Sequence, residues 1–271
     1  MKKLFSLLLL LVFSVYSTFP IWHILNVSLR SDNSFAGDTL HFWPETIGLV
    51  NYKLVLTKTL FPTWLENSVM IAVMVTLLGL LLSITAAYAL SRFPIYGKKR
   101  ILTFLLATQM FPATMLLLPF YILLSKLHLL NNFWGLLIIY SSSALPFCVW
   151  QLKGYFDTLP VEIEDAARVD GCTPWQVLWK IVIPISKPAL AITALFNLTT
   201  SWSEYAIASV VLQDPSMQTL PLGLKGFQSS LATEWGLYTA AAVIVSLPAT
   251  IAFVLLSRYL ISGLTLGSVK G

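Results

Sequence analysis

Five charged side chains, Glu162, Glu164, Asp165, Arg168 and Asp170, fall within nine residues near the middle of a strongly apolar chain. Clustered carboxylates can serve acid–base or metal chemistry, or recognition of another surface, so the first question is whether a catalytic set surrounds them. None does. His23, His41 and His128 are far apart and lack metal-ligand spacing. Cys148 lies in an apolar run and Cys172 in the charged insert, so no bridge between them is expected. There is no Ser/His/Asp or Cys/His arrangement for nucleophilic catalysis. The phosphate-cradling pattern G-x-x-x-x-G-K-[ST] is absent too, and Gly97-Lys98-Lys99 does not satisfy it. The sequence therefore offers no catalytic residues, no metal ligands and no nucleotide site of its own.

A second polar group interrupts a later apolar run: Asn197, Thr199, Thr200, Ser201, Ser203 and Glu204 beside Trp202 and Tyr205. Polar groups within apolar spans are costly and often mark a pathway. Hydroxyls and amides exchange hydrogen bonds with a sugar, and aromatic faces cover its C–H surfaces. Asn197, Thr200 and Glu204, spaced i, i+3, i+7, are expected to share a helix face. Interhelical hydrogen bonding is the competing reading of the same residues. Ser141, Ser142, Ser143, Thr108 and Gln109 are weaker candidates for the same lining.

The chain that must position these groups has 271 residues, 57% hydrophobic and 11% charged, with mean hydropathy +0.79. Soluble domains carry about 25% charged residues, and a lipid solvent accounts for the deficit. The net charge of +5 comes from scattered rather than clustered basic residues, which argues against nucleic acid. Six runs reach the length needed to cross a bilayer: Leu4–Leu29, Val69–Leu90, Ile101–Leu124, Phe133–Leu152, Pro188–Leu212 and Leu237–Ser257. The first also resembles a signal peptide, but its apolar character continues through Phe19, Ile21, Trp22 and Val27, which favours a retained span. With both termini inside, the inner segments hold 12 Lys/Arg and the outer segments 5, the positive-inside asymmetry of a multi-pass membrane protein. The charged insert then faces the cytoplasm, within an inner loop 153–187. Outer loops cover 30–67 and 213–236. Residues 1–271 read as one membrane domain. Pro112 and Pro119 are expected to bend the third span, and Pro146 and Pro248 the fourth and sixth.

Locally, the insert predicts a short helix from about Pro160 to Asp170, stopped by Gly171. Thr173-Pro174 then caps and starts a second helix. Ile163, Ala166 and Ala167 make a narrow face with small side chains, while Glu164 and Arg168 pair at i, i+4. Trp175, Leu178, Trp179 and Val182 fall on one stripe. Pro184 and Pro188 mark the passage into the next span. Anionic lipid should repel the acidic face, so a docking element for a protein is the better account.

Asp165-Ala166-Ala167, three residues, Gly171, nine residues, then Ile181-x-Ile183-Pro184 resembles the EAA motif, E-A-A-x3-G-x9-I-x-L-P. That motif marks permease subunits of bacterial ABC importers. Asp165 for Glu and Ile183 for Leu are the departures. The likeness runs from about Leu25 to Gly271 and is nearest the carbohydrate, MalG-like branch, through "ATQMFPATMLLLPFY", "SWSEY" and "EWGLYTAAAVI" among other segments. It implies an all-α fold of six transmembrane helices with cytoplasmic coupling helices, the type I importer permease fold. It implies a non-enzymatic transport subunit for a sugar, such as a maltose- or trehalose-like disaccharide. The expected partners are a second permease, an ATPase dimer holding ATP and Mg, and an extracytoplasmic sugar-binding protein. Asp165, Ala166, Ala167, Gly171, Trp175 and Pro184 would meet or support the ATPase. Asn197, Thr200, Trp202, Glu204 and Tyr205 would line the substrate path. The resemblance also places the outer loop toward the binding protein and the tail 267–271 at the ATPase interface. An ion-driven carrier, or an importer of a polyol or glycerol phosphate, is the alternative.

Overall fold

The computed structural model describes residues 2–31, 43, 47–228 and 233–267. His41 with the rest of 32–42, residues 44–46, part of the loop 213–236 and the tail beyond Gly267 lie outside them. The described secondary structure is helical: α1 Lys2–Ser28, α2 Val50–Lys58, α3 Phe61–Arg92, α4 Lys98–Thr108, α5 Leu117–Lys126, α6 Phe133–Phe156, α7 Val161–Val169, α8 Pro174–Val177, α9 Ile183–Ile185, α10 Lys187–Ser203, α11 Ala206–Val211, α12 Leu220–Lys225 and α13 Trp235–Gly267. A π-turn, Leu178–Val182, joins α8 to α9. Four helices are long and apolar enough to cross a bilayer, and two bent helix pairs raise the number to six. Many of their large apolar side chains face outward, as expected where lipid replaces water.

The chain divides into two compact units, residues 1–66 with 219–248, and residues 67–218 with 249–271. In the first, Asn51 donates to the carbonyls of Ser28 and Arg30, at 3.1 and 2.7 Å. That satisfies backbone acceptors left over at the end of α1. Gly223 on α12 lies under the Trp64 indole, where an added Cβ would sit 2.2 Å from the ring. Only glycine permits that approach.

The second unit holds the charged insert and the polar run. Its core gathers Ile84, Ala87 and Tyr88 from α3, Leu152 and Phe156 from α6, Ala167 from α7, Val177 and Leu178, Val182, and Ala189 from α10. Two of the expected continuous spans are interrupted here. The run Ile101–Leu124 bends by 90° between α4 and α5. Pro112 has no N–H to give the Thr108 carbonyl, and it adopts φ −58°, ψ 129°, so the helix cannot propagate. Pro119 makes no second bend, because it occupies the first turn of α5, where its missing donor is not needed. The run Pro188–Leu212 stops at Ser203 and restarts at Ala206. Pro146 lies within α6 and Pro248 within α13, and both helices continue through them.

Gly135, at the start of α6, packs against the end of the α5 connection, where a Cβ would stand 2.3 Å from the Leu129 carbonyl oxygen. Gly154 on the same helix faces open space. Gly135→Ala is therefore expected to destabilise by about 1–3 kcal/mol through overpacking. Gly154→Ala should be neutral or stabilising by up to about 1 kcal/mol. Thermal unfolding of the two variants in one detergent checks the contrast.

Candidate functional site

The insert folds as a two-helix knuckle. α7 ends in a Schellman arrangement: Cys172 N–H donates to Ala167 O at 2.9 Å and Gly171 N–H to Arg168 O at 3.0 Å. Gly171 sits at φ +86°, the left-handed region that favours glycine. Thr173 then opens α8 with a reciprocal cap. Its hydroxyl accepts from Gln176 N–H at 3.3 Å, and its own N–H donates to Gln176 Oε1 at 2.8 Å. Proline at the first helical position completes the start.

The narrow face Ile163/Ala166/Ala167 is only partly turned inward. Glu164 is 1% exposed and Ala167 8%, whereas Ile163 is 45% exposed and Ala166 is exposed as well. The expected face of small side chains is thus divided: Ile163 and Ala166 lie outside, and Ala167 turns inward beside Glu164. A buried acid takes the apolar position because it has distant partners. Its Oε1 accepts from Arg92 Nε at 2.6 Å and its Oε2 from Tyr88 O–H at 3.1 Å. Arg168, the expected partner of Glu164, lies 3.9 Å from it and bonds Asp165 at 3.0 Å instead. Arg92 and Tyr88 had gone unrecognised. A lone arginine at the end of an apolar span was the available signal.

The expected aromatic stripe also separates. Leu178 and Val182 are buried, while Trp175 and Trp179 stay partly exposed and stack edge to face with centroids 5.6 Å apart. Pro184 is exposed just beyond the π-turn. The outer surface of the knuckle presents Asp165, Ala166, Val169 and Trp175. That combination of apolar contact area, small residues and one carboxylate suits a protein partner.

At the root of the knuckle, Ser91 donates to Asp157 Oδ1 at 2.6 Å, and Lys153 pairs with the other Asp157 oxygen. Partial burial by itself would raise the Asp157 pKa. The bonds from Lys153 and Ser91, with the nearby Lys98 charge, outweigh it and hold the carboxyl below its ordinary value.

The polar run forms a different site from the one-face lining expected. Asn197 is fully buried, donating to Thr193 O and Cys148 Sγ. It packs against Gly79, whose added Cβ would lie 2.6 Å from Asn197 Oδ1. Glu204 is beyond the end of α10 in extended conformation, ψ 126°, so Asn197, Thr200 and Glu204 do not share a helical face. Trp202 is buried and Tyr205 partly exposed. Thr200, Ser201 and Glu204 do meet Gln109, Tyr140, Ser143 and Phe196 around a cleft of about 170 Å³. Tyr140 O–H donates to Glu204 Oε2 at 2.6 Å. The carboxylate also accepts from Ile207 and Ala208 N–H at 2.9 and 3.1 Å, which caps the start of α11.

Residues 79–265 match the family described as binding-protein-dependent transport system inner membrane component. The chain is 36% identical to the maltose/maltodextrin transport system permease protein MalG of Escherichia coli K12, over 97% of this chain and 94% of that one. It is 32% identical to the sulfoquinovosyl glycerol transport system permease protein SmoH of Agrobacterium fabrum, over 95% and 90%. A solved chain of a bacterial ABC transporter involved in the import of the acidic polysaccharide alginate superposes with TM-score 0.84 and 27% identity, over 95% of this chain and 96% of that one. The likeness extends to almost the whole length and includes the knuckle, and this chain belongs to the binding-protein-dependent transport system inner membrane components, with the type I permease fold.

Proposed function

We propose that this chain is one permease subunit of an ATP-driven importer for a sugar, an oligosaccharide in the class of maltose or trehalose. It pairs with a second permease, with two ATPase subunits that hold ATP and Mg, and with an extracytoplasmic binding protein. Both termini face the cytoplasm in this reading. The observation that carries it is the knuckle: a rigid, glycine-stopped, doubly capped helix pair whose outer surface offers Asp165, Ala166, Val169 and Trp175. Asp165, Ala166 and Trp175 make the contact with the ATPase. Ala167 and Gly171 hold the shape of the knuckle, and Pro184 passes its movement toward α10. A push on the knuckle biases a two-state membrane cavity.

The cleft favours a neutral sugar. Among the described residues its lining combines Gln109, Tyr140, Ser143, Thr200 and Ser201 with the Phe196 face and one carboxylate, Glu204, and no lysine or arginine. A hydroxyl-rich neutral ligand finds donors and acceptors there, whereas an anion meets Glu204 without a countercharge. The relatives act on maltose and maltodextrin, sulfoquinovosyl glycerol and alginate, so the branch tolerates varied glycans and the cleft is what narrows the choice.

The test is reconstitution of the complex co-purified with this chain. An ATPase is expected to accompany it, and vesicles should accumulate labelled maltose or trehalose only with ATP, with vanadate abolishing uptake. Uptake driven by an ion gradient without ATP would overturn the ATP-driven reading. Import of sulfoquinovosyl glycerol in preference to both neutral disaccharides would overturn the substrate class.

A further inference from the structure

We propose that Arg92, Tyr88 and Glu164 form the joint that fixes the knuckle to the end of α3, and that they are positioning residues for coupling rather than contacts for the ATPase. The word coupling rests on the function proposed above. The joint itself rests on geometry alone.

Glu164 is on the side of α7 opposite the exposed surface, and the Arg92 and Glu164 side chains are 7% and 1% exposed. A carboxylate this deeply buried would be costly without partners. Both of its oxygens are engaged by α3, through Arg92 Nε at 2.6 Å and Tyr88 O–H at 3.1 Å. The partners are 72 and 76 residues away in sequence. They therefore tie two elements together rather than stiffen one.

The end of α3 holds the other side of the loop as well. Arg92 Nη2 donates to Leu159 O at 3.4 Å and Nη1 to Ser91 Oγ at 2.8 Å, and Ser91 donates to Asp157. The last turn of α3 thus touches the exit of α6, the connection and α7 together. A displacement of α7 stretches these charge-assisted bonds before it disturbs the softer apolar contacts around them. The buried network is placed to make α3 follow the knuckle. An Arg168–Glu164 pair would only stiffen α7 itself, and that pair is the longer one at 3.9 Å.

Hydrogen exchange on the assembled complex distinguishes a joint from an adhesive. In the nucleotide-free state, Glu164→Gln should speed exchange across 157–170 by about tenfold with α6 unchanged. Arg92→Lys, which keeps the charge but cannot reach Glu164, Ser91 and Leu159 together, should fall between the parent and Glu164→Gln. Trapping with ATP and vanadate should alter exchange in both 157–170 and 84–92 of the parent, but only in 157–170 of Glu164→Gln. Unchanged loop exchange in Glu164→Gln overturns the joint. So does a trapped Glu164→Gln complex whose α3 end still responds as in the parent, because the pair would then be adhesive only. These arms do not require the sugar. If neither maltose nor trehalose is imported by the parent, the substrate class fails and the joint is still decided. If no ATPase associates, the coupling reading fails and loop exchange in the membrane-embedded chain still tests the pair.

Discussion

Gly171→Pro is expected to abolish uptake while leaving the chain inserted in the membrane. Gly171 adopts φ +86°, and proline is held near −65°, so the two conformations are incompatible. The substitution also removes the N–H that satisfies Arg168 O. Backbone strain of about 1–3 kcal/mol adds to a lost hydrogen bond of about 1 kcal/mol, both concentrated at the single turn that sets the angle between α7 and α8. The chain escapes by reorienting the knuckle, which displaces Asp165 and Ala166 relative to Trp175. Insertion depends on the apolar spans and should not change. A graded companion is Gly171→Ala: a Cβ there meets nothing within 4 Å, so its cost is the left-handed backbone alone, about 1–2 kcal/mol. Uptake should therefore fall in the order glycine, alanine, proline, with ATPase co-purification following the same order. Ala167→Trp, a large side chain forced into the core of the second unit, is expected to behave like the proline variant. Parent-like uptake by Gly171→Pro would remove the knuckle from the mechanism.

Much of this was legible in the residues. Gly171 as a stop and Thr173-Pro174 as a restart follow from local backbone chemistry, which acts within a few residues and is written in them. The apolar runs located the membrane-crossing segments because lipid demands length and hydropathy rather than particular partners. What depended on distant residues was not legible. Local spacing paired Glu164 with Arg168 four residues on, and it could not show that Glu164 is buried, because that depends on Arg92 and Tyr88 far along the chain. It also assumes regular helix. The π-turn Leu178–Val182 and the extended Glu204 shift the register of everything that follows. This separated Leu178 and Val182 from the stacked Trp175–Trp179 pair and broke up the polar face. Proline counting located the break at Pro112 but assigned a bend to Pro119 too, because the effect of proline depends on where a helix starts, and that start is set by the break before it.

Glu204→Ala is expected to damage both stability and transport, because one carboxylate holds two elements at the cleft. Tyr140 is 5% exposed, and losing its acceptor leaves a buried hydroxyl unpaired at about 1–3 kcal/mol. The Ile207 and Ala208 amides lose their cap at the same time, for about 1 kcal/mol more. Together these should lower the unfolding temperature of the purified complex. Maltose or trehalose uptake should fall as well, because the same carboxylate orders the break after α10 beside the cleft. Glu204→Gln retains an oxygen acceptor for Tyr140 or the amides and should preserve most stability. Tyr140→Phe removes the donor but leaves the α11 cap, so its loss should be smaller than that of Glu204→Ala. The double variant Tyr140→Phe/Glu204→Ala should cost less than the two singles added, because they share the 2.6 Å bond. A strictly additive pair would show that the tyrosine and the carboxylate act independently. Parent-like unfolding and uptake by Glu204→Ala would show that the break after α10 is held by packing alone, and the cleft would lose its one charged anchor as a candidate for sugar recognition.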